Sequence, residues 1–492
     1  MTNKLYDTSL SLLTDLYQVT MAYGYWKSGT AEKEAVFNLY FRKNPFGGGF
    51  TVACGLTNVI GYIEHFGFSK KDLRYLRTLT GNDGEPLFDV AFLDYLADLK
   101  LTCTVDAIPE GTVVFPNEPL VRVRGPILQC QLLETPLLNL INFETLIATK
   151  AARLRLVAGA DTLLEFGLRR AQGIDGGMTA SRAAYIGGCD ATSNVLAGKL
   201  YDIPVRGTHA HSWVMSFDTE LDAFMTYADV LPNNVTLLVD TYDTLEGVRH
   251  AIEAGRQLEA RGHRLSGIRL DSGDLAYLSI EARKLLDEAG FTHTAIVASN
   301  DLDETIIASL KQQGAQITVW GVGTKLVTAY DQPALGGVYK LAALRRETGT
   351  PGWDYKMKLS EQAIKVSTPG IQQVRRFRDE RGFLADMIFD EQSHGQDESA
   401  GEDVMIDPLD FTKRRRFEAT LAFDDLLVPV FDAGQRVYDS PDIHTVRARV
   451  QTQLAGLHPG VKRFVNPHTY PVGLEKGLHE LKTNLILKLR EA

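Results

Sequence analysis

Two histidines spaced two residues apart, His209 and His211, follow a short apolar run that ends at Val205. In an extended segment this spacing places both imidazoles on one face, with the hydroxyl of Thr208 beside them. Such a pair is a common way to present two zinc ligands. A neutral imidazole can also attack a phosphoryl group while a carboxylate or carbonyl orients its other nitrogen. A third interpretation is an ordinary loop with solvated or hydrogen-bonded histidines. The elements predicted around the two histidines are needed to choose among these three interpretations.

The region from about residue 160 alternates strand-like apolar runs with segments long enough for a helix, which is typical of a parallel α/β sheet. The predicted strands are 163–166, 203–205, 235–240, 266–270, 295–299 and 317–320. This many units favour an α/β barrel over an open sheet. A barrel collects its functional residues at the carboxyl ends of its strands.

Polar clusters follow five of the predicted strands, and together they predict one shared site. The clusters are Thr208–His211, Asp240–Asp243, Arg269–Asp274, Ser299–Asp301 and Gly321–Thr324. In the last cluster two glycines free backbone amides to face an anion, and a helix predicted at 325–330 adds its dipole. Arg269 and Asp271 alternate on one strand, either as a structural ion pair or as site residues. The clusters thus offer a phosphate cradle, a cation, and carboxylates suited to sugar hydroxyls or a metal.

Different patterns flank the barrel region on both sides. Residues 10–28 predict a helix containing Tyr17, residues 102–128 a small antiparallel sheet, and residues 129–157 mostly helix. We therefore divide the chain into an N-terminal helical and antiparallel-sheet domain (1–158), the barrel with the active site (159–342) and a mixed C-terminal region (343–492).

Two charged segments stand out in the C-terminal region. Residues 390–403 contain no Lys or Arg and are predicted to form a mobile surface loop. The basic run 413–416 is predicted to be a solvated face or a subunit contact.

Composition excludes several classes of function. The chain has 62 acidic and 52 basic residues and a net charge of -10, which argues against nucleic acid as a partner, so any anionic substrate must be held by local groups. Its four cysteines have no C-x-x-C spacing, so reduced thiols in a cytoplasmic protein are expected. No apolar run reaches the ~18 residues of a membrane span, so no membrane association is expected.

Along nearly its whole length the sequence resembles the nicotinate phosphoribosyltransferase family. Seven blocks in the family's order carry the resemblance: Leu13–Met21, Phe41-Arg42, Glu165–Gly173, Gly207–Ser212, Arg269–Asp274, Gly321–Thr324 and Gly337–Lys340. The resemblance implies an irregular seven-stranded α/β barrel of the type II phosphoribosyltransferase kind, with a flanking N-terminal α+β domain and a C-terminal extension. It also implies a homodimer whose sites lie at the subunit interface.

The family's reaction joins nicotinate to phosphoribosyl pyrophosphate and yields nicotinate mononucleotide and pyrophosphate. This is the first step of NAD salvage from nicotinic acid. The resemblance implies Mg2+, and ATP as a co-substrate whose hydrolysis is coupled to turnover, which would class the enzyme among the ligases. The predicted phosphate cradle, cation and carboxylates suit a transfer through an oxocarbenium-like state. Such a transfer needs a bound polyanionic leaving group and a ring nitrogen held in line.

The resemblance also implies roles for individual residues. For nicotinate they are Tyr17 of the partner subunit, stacking on the pyridine ring, and Thr208, Arg269, Arg169 and Ser193. For the phosphoribosyl group they are Gly321, Gly323, Thr324 and Asp240. His211 is implied to be phosphorylated and Asp271 to be catalytic, while the assignment of Asp240 and Asp271 to ribose or Mg2+ is left open. Ser193 aligns with an aspartate of the related nicotinamide enzyme.

Two other functions fit parts of the sequence. A metal-dependent hydrolase on a barrel would also use His-x-His, but it needs further histidine ligands at later strand ends. The available residues, His250, His263 and His293, fall in predicted helices or loops. A nucleotide-binding regulator without turnover would retain the pocket, although every matched catalytic position is filled here.

Overall fold

The computed structural model describes residues 9–345, 351–362, 365–394 and 402–491. These residues form two compact units. The barrel unit runs from Ile147 to Pro333, and the flanking unit combines the described residues up to Leu146 with those from Ala334 onward. The division of the chain at residues 158 and 342 stays a prediction.

The barrel unit is built on a parallel sheet of six strands separated by helices. In order across the sheet, the strands are Ala191–Thr192, Thr162–Glu165, Val319–Val322, Ala295–Ala298, Leu265–Leu270 and Val235–Leu238. A bridge from Thr192 to Val205 adds a further segment at the first edge. The expected irregular α/β barrel is therefore confirmed. In this fully described unit, no backbone hydrogen bond joins the Val205 segment to the Val235–Leu238 strand, and we call this gap the seam.

In the barrel unit, which the structure describes throughout, eight helices connect the strands, and five of them are capped by a side chain at the first turn. The helices are Gly173–Gly187, Val195–Tyr201, His211–Met215, Glu220–Val230, Thr244–Ala260, Leu275–Glu288, Glu304–Gln312 and Thr324–Val327. The long helix Glu134–Ala158 contains the boundary between the two units. Asp243 and Asp274 accept bonds from backbone N–H groups of the helices that follow them. Such caps contribute ~1 kcal/mol each, so these two members of the polar clusters serve the helices.

The structure differs from the prediction at three elements of the barrel. The segment 203–205 makes one bridge rather than a strand. The strand Ala191–Thr192 was not predicted, because two residues are too few to show alternation. The helix after Gly323 is Thr324–Val327 and not 325–330, so its short dipole adds little to the predicted cradle.

The flanking unit contains two large sheets and one small one. The seven-stranded sheet comprises, in order, Asp354–Tyr355, Val338–Arg345, Glu34–Tyr40, Val121–Pro126, Thr104–Ala107, Val428–Asp432 and Gln435–Arg436. The six-stranded sheet comprises Arg414–Glu418, Glu402–Ile406, Val472–Glu475, Gly382–Asp390, Gln372–Asp379 and Ala422–Asp425. Thr51–Val52 pairs with Val113–Val114. The predicted antiparallel pairing within 102–128 is confirmed by the ladder between Thr104–Ala107 and Val121–Pro126.

The strand Glu34–Tyr40 is buried along its whole length and has antiparallel partners on both sides. One partner, Val121–Pro126, precedes the barrel in sequence, and the other, Val338–Arg345, follows it. Glu34 lies opposite Arg345 and forms an ion pair with it. The flanking unit is therefore assembled from both ends of the chain.

Helices pack around these sheets. They are Leu16–Lys27, Leu56–Glu64, Lys70–Leu76, Val90–Asp98, Ile127–Leu132, Ile443–Ala455 and Lys476–Glu491. The first is shorter than the predicted 10–28 and begins after Asp15, which occupies the N-cap position. Its Tyr23 and Trp26 pack against Phe92 in an aromatic cluster.

A buried polar network joins a turn to the six-stranded sheet. The Arg376 guanidinium binds the Asp386 carboxylate, and the Tyr470 hydroxyl donates to Asp386 Oδ1 over 2.9 Å. Glu118, also buried, accepts from Phe115 N over 2.8 Å. Burial and the adjacent Asp386 carboxylate raise the pKa of Glu118 well above its usual value.

The predicted acidic loop 390–403 is wrong at both ends. Asp390 is the buried last residue of a strand, and Asp403 lies within the strand Glu402–Ile406. Residues 395–401 lie outside the described residues. The basic run 413–416 begins the strand Arg414–Glu418, and its role stays a prediction.

The structure also describes the cysteines and the helices that bear on membrane association. All four cysteines are described, are buried and form no disulfide. Among the described helices, none is both long and apolar enough to cross a bilayer.

Candidate active site

A cavity of about 430 Å³ opens at the carboxyl ends of the barrel strands. Eight of the predicted site residues line it: Arg169, Ser193, Thr208, Arg269, Asp271, Gly321, Gly323 and Thr324. The same wall includes other members of the predicted clusters, namely His209, Ala210, Ser299, Asn300 and Asp301, and three residues outside those clusters, namely Phe166, Arg170 and Gly207. Four of the five predicted strand-end clusters therefore meet in one cavity, whereas no residue of Asp240–Asp243 lines it.

Arg269 is held at the centre of the cavity wall by three side chains. Its Nη1 donates to Thr208 Oγ1 over 3.0 Å, its Nη2 to Asp271 Oδ1 over 2.8 Å, and its Nε to Ser299 Oγ over 2.8 Å. Ser299 in turn donates to Asp271. The ion pair considered from the sequence is therefore present. Because each Nη nitrogen carries two hydrogens, the guanidinium can still donate to a ligand.

Phe166 forms an apolar part of the wall next to this cation. The Arg269 guanidinium carbon lies 5.7 Å from the centre of the Phe166 ring. A Cβ at Gly321 would come within 2.6 Å of the ring, so glycine is required for the ring's position. Glu165, fully buried, accepts from Gly167 N and from Thr192 Oγ1 and so fixes the turn that carries Phe166. The sequence signals for Phe166 were its place at the end of the predicted strand 163–166 and within the block Glu165–Gly173, and neither assigned it a role.

Two cations give the remaining wall an anion-binding character, and a strained turn lies in the same cavity lining. Arg169 and Arg170 are exposed at the cavity, and neither has an ion-pair partner in the described part of the chain. Asn300 and Asp301 have positive φ angles of 87° and 39°, which side-chain-bearing residues rarely adopt. Strain of this kind is concentrated at ligand sites. The polar cluster after the Ala295–Ala298 strand was the signal for this turn.

The two histidines span the seam with different partners. His209 is 8% exposed, and its Nε2 accepts from Leu238 N over 3.1 Å. His211 Nε2 lies 3.2 Å from Asp240 Oδ1. Because the two rings engage different groups, the pair does not present two nitrogens to one metal ion. The spacing of the histidines therefore no longer supports the zinc interpretation.

Electrostatics keep His209 uncharged. Burial lowers the pKa of His209, the Ala210 carbonyl opposes this effect, and the charge on Arg269 lowers the pKa further. Its Nδ1 lies 3.3 Å from the Ala210 carbonyl oxygen. A neutral ring that donates from Nδ1 and accepts at Nε2 satisfies both contacts.

Asp240 holds the histidine and the neighbouring turn. Its side chain is fully buried; Oδ1 faces His211, and Oδ2 accepts from Asp271 N over 2.9 Å and Ser272 Oγ over 2.6 Å. His211 Nδ1 has no hydrogen-bond partner among the described residues. His211 and Asp240 thus lie beside the cavity, without lining it. The phosphoribosyl role of Asp240 stays a prediction.

Tyr17 belongs to the flanking unit and is 48% exposed. It is not among the residues that line the cavity, all of which belong to the barrel unit. Its predicted contact with the pyridine ring from a partner subunit stays a prediction.

Three family models match successive parts of the chain. The nicotinate phosphoribosyltransferase N-terminal domain matches residues 12–142, the nicotinate phosphoribosyltransferase family model residues 162–348, and the C-terminal domain residues 371–482. Together the matches cover most of the chain.

Whole-chain relatives agree with these matches. The nicotinate phosphoribosyltransferase of Bacillus subtilis is 44% identical, over 99% of this chain and 98% of its own length. The human enzyme is 37% identical over 96% of both chains. The crystal structure of human nicotinic acid phosphoribosyltransferase superposes with a TM-score of 0.84 at 34% identity, covering 96% of this chain and 99% of the human one. The chain therefore belongs to the nicotinate phosphoribosyltransferase family.

Proposed function

We propose that the chain joins nicotinate to phosphoribosyl pyrophosphate, yielding nicotinate mononucleotide and pyrophosphate, as the first step of NAD salvage from nicotinic acid. The observation that carries the proposal is the cavity in which Arg269, Thr208 and Ser193 lie together with the glycines of the predicted phosphate cradle. Family membership supplies the reaction, and the side chains present are those that the reaction needs.

Nicotinate fits the part of the cavity around Arg269. Its carboxylate would accept from the remaining Arg269 hydrogens and from the Ser193 hydroxyl, since charge-assisted hydrogen bonds are the stronger class. The pyridine ring would lie on Phe166, whose ring is held by the packing against Gly321. These contacts would keep the ring nitrogen in line with the ribosyl carbon.

The phosphoribosyl group fits the part of the cavity formed by the predicted phosphate cradle. Gly321, Gly323 and Thr324 place backbone amides and a hydroxyl at the cavity, and Arg169 and Arg170 add positive charge. Developing positive charge on the ribose would be favoured by the carboxylate of Asp271, which also lines the cavity. This is the catalytic role that we propose for Asp271.

Mg2+ would bind among the carboxylates that line the same cavity. It prefers oxygen ligands and is usually held by one or two carboxylates together with substrate phosphates. Asp271 and Asp301 both line the cavity and fit this donor set, and the Asn300 amide oxygen adds a neutral ligand. The ion would neutralise the departing pyrophosphate.

ATP would act through His211. Asp240 engages Nε2, so the lone pair of Nδ1 is the one available to attack the γ-phosphorus. A bond from Nδ1 to phosphorus would form as the bond to the ADP oxygen breaks, and water would later release phosphate. The ring keeps its Nε2 hydrogen, and Asp240 stabilises its positive charge. This coupling is the basis on which we class the enzyme as an ATP-dependent ligase.

We further propose a cytoplasmic homodimer in which Tyr17 of the partner subunit completes each site. Buried cysteines without disulfides are typical of a reducing compartment. The apolar side chains of Leu13, Leu16 and Met21 are 44%, 55% and 39% exposed beside Tyr17, and such a surface is typical of an interface.

The deciding experiment measures nucleotide formation from nicotinate and from nicotinamide, each with phosphoribosyl pyrophosphate, Mg2+, and either ATP or none. We expect product from nicotinate only, with ATP increasing turnover. Arg269→Gln should abolish most of the activity, whereas Arg249→Gln, an exposed arginine on the helix Thr244–Ala260, should not. Failure to form nicotinate mononucleotide would refute the proposal, and comparable use of nicotinamide would refute its substrate specificity.

A further inference from the structure

We propose that His209 is a positioning residue that closes the seam of the barrel with its side chain and thereby fixes His211 for phosphorylation. This inference rests on the proposed role of His211, but its structural half is independent of that role. No catalytic contact is assigned to His209.

The seam lacks the backbone hydrogen bonds that join every other neighbouring pair of strands in the barrel unit. One edge ends at the Thr192–Val205 bridge, and the other is the strand Val235–Leu238. The amide of Leu238, which is 1% exposed, would have no acceptor there without His209. A buried amide without a partner is strongly unfavourable, so the imidazole substitutes for a missing carbonyl.

The spacing of the contacts shows why this link positions His211. His209 meets Leu238, and two residues further along each segment His211 meets Asp240. The two contacts are therefore evenly spaced, two residues apart along each segment, and the second lies at the start of the helix His211–Met215. Loss of the first contact would let the His211 segment move away from Asp240, because the remaining links across the seam come from side chains alone.

Thr208 provides a second link between His209 and the functional residues. It precedes His209 and accepts a hydrogen bond from Arg269. A shift at His209 would therefore disturb the wall of the cavity as well as His211, although Arg269 keeps its bonds to Asp271 and Ser299. The effect should consequently be larger on phosphorylation than on binding of nicotinate.

The role requires a single protonation state. Nε2 must be an acceptor, so the proton is on Nδ1, near the Ala210 carbonyl oxygen. Protonation of Nε2 would set an N–H against the Leu238 N–H and break the link. The charged or titratable groups around the ring are Arg269, His211, Asp240 and the phenol of Tyr227, whose ring centre is 4.9 Å away. Burial raises the pKa of Tyr227, so that phenol stays neutral.

The test compares three variants of the full-length chain. His209→Leu fills the space but offers no acceptor, whereas His209→Gln can place an amide oxygen near the position of Nε2. His293→Leu is the matched control, because His293 is an exposed histidine of the same unit. The rate of His211 phosphorylation by ATP and the KM for nicotinate are measured for each.

We expect His209→Leu to slow phosphorylation by at least ~10-fold, as for loss of an acceptor by a buried donor, with a smaller effect on the KM for nicotinate. His209→Gln should recover most of the rate, and His293→Leu should match the wild type. Phosphorylation of the wild type should fall below pH ~6, as His209 becomes charged, and this fall should be weaker in His209→Gln. Equal phosphorylation rates in wild type and His209→Leu would overturn the inference, as would a His209→Gln variant no better than His209→Leu.

An NMR measurement separates this inference from the proposed function. The 15N shifts of His209 should report an acceptor Nε2 in the wild type, and exchange of the Leu238 amide should quicken at least ~10-fold in His209→Leu. If the wild type shows these signals but no phosphohistidine, the ATP proposal fails while the seam is retained. A protonated Nε2 at neutral pH, or unchanged exchange at Leu238, refutes the seam itself.

Discussion

At the scale of single residues, Ser193 is placed to let the site discriminate between nicotinate, which is an acid, and nicotinamide, which is an amide. It lies in the cavity wall with Arg269, and its backbone amide is fixed by the Glu165 carbonyl. Ser193→Asp should lower nicotinate activity at least ~10-fold, because a like charge near the substrate carboxylate in a partly dry site costs more than ~1.4 kcal/mol. Steady-state kinetics with nicotinate measures the effect.

The control is Ser193→Asn, which adds similar bulk without charge and should retain more of the activity. An aspartate variant that uses nicotinate as well as the wild type would show that residue 193 does not meet the carboxylate. Loss of activity to the same degree in both variants would instead assign the effect to bulk.

His211→Ala should retain slow, ATP-independent transfer and lose both ATPase activity and stimulation by ATP. The reason is that the pyridine nitrogen can attack the ribosyl carbon directly, so the transfer itself needs no covalent protein intermediate. A phosphohistidine would act by coupling, and typical couplings of ~1–3 kcal/mol change affinity by roughly 5 to 150-fold. Product formation and ATP hydrolysis are followed with and without ATP.

His209→Ala is the companion variant and should still accept phosphate at His211, although more slowly. An acid-labile phosphate that persists in His211→Ala, or ATP stimulation that remains undiminished there, would remove His211 from this role.

The residues that sequence could predict are those whose chemistry is visible in their type and position. Arg269, Thr208 and Asp271 follow from polar side chains at strand ends, and the structure places them in one wall. Phe166 could not be predicted in this way, since an aromatic residue after a strand is more often core. The separate partners of His209 and His211 depend on the seam, which no local pattern reveals.

At the scale of elements, the Glu118 network controls how the flanking unit responds to pH. The folded state raises the pKa of Glu118 above its ordinary value of 4.5, so the carboxyl stays protonated longer than in the unfolded chain. Its contribution to stability is complete below pH ~4.5 and is lost as pH rises through the folded pKa, by at most ~1.4 kcal/mol per pH unit. Glu118→Gln, which cannot ionise, should lack this decline and be the more stable form at alkaline pH.

Thermal unfolding of the wild type, Glu118→Gln and the exposed control Glu85→Gln between pH 5 and 9 measures the difference. Only Glu118→Gln should show a gain that grows with pH. A difference from the wild type that stays constant across this range would mean that Glu118 is ionised in the folded protein.

Element prediction succeeded where a pattern was long enough to repeat. The strands around 163, 235, 266, 295 and 319 were found within a few residues, because apolar runs alternate with helix-length segments. Failures occurred where tertiary structure decides: the two-residue strand Ala191–Thr192, the single bridge at Val205, and the four-residue helix after Gly323. The prediction of a loop at 390–403 failed for another reason. The residues at both ends of this acidic segment belong to strands in spite of their charge.

At the scale of the whole molecule, activity should depend on the dimer. Tyr17 is far in sequence from the strand ends, and dimers are the commonest closed assembly. Tyr17→Ala and Arg269→Ala should each be poorly active alone, but mixed dimers should regain activity, since one of their two sites has both residues intact. Turnover of purified heterodimers measures the recovery.

The control is the mixture of Arg269→Ala with Thr208→Ala, whose defects lie in the same cavity wall. It should regain less, because Thr208 and Arg269 contact each other within one subunit. No recovery in verified heterodimers of the first pair would mean that Tyr17 serves its own subunit.

The pairing of Glu34–Tyr40 with Val338–Arg345 has a consequence for synthesis on the ribosome. Glu34 and Arg345 are 311 residues apart, so at about 5–20 residues per second the first strand waits roughly 15–60 s for its second partner. By then the whole of Ile147–Pro333 has been made, and Val121–Pro126 can cover only one edge of the waiting strand. The other edge belongs to a strand that is fully buried in the finished protein, and exposed edges of this kind recruit other chains. A chain that stops before Val338 would therefore carry every barrel strand and still aggregate through its N-terminal segment.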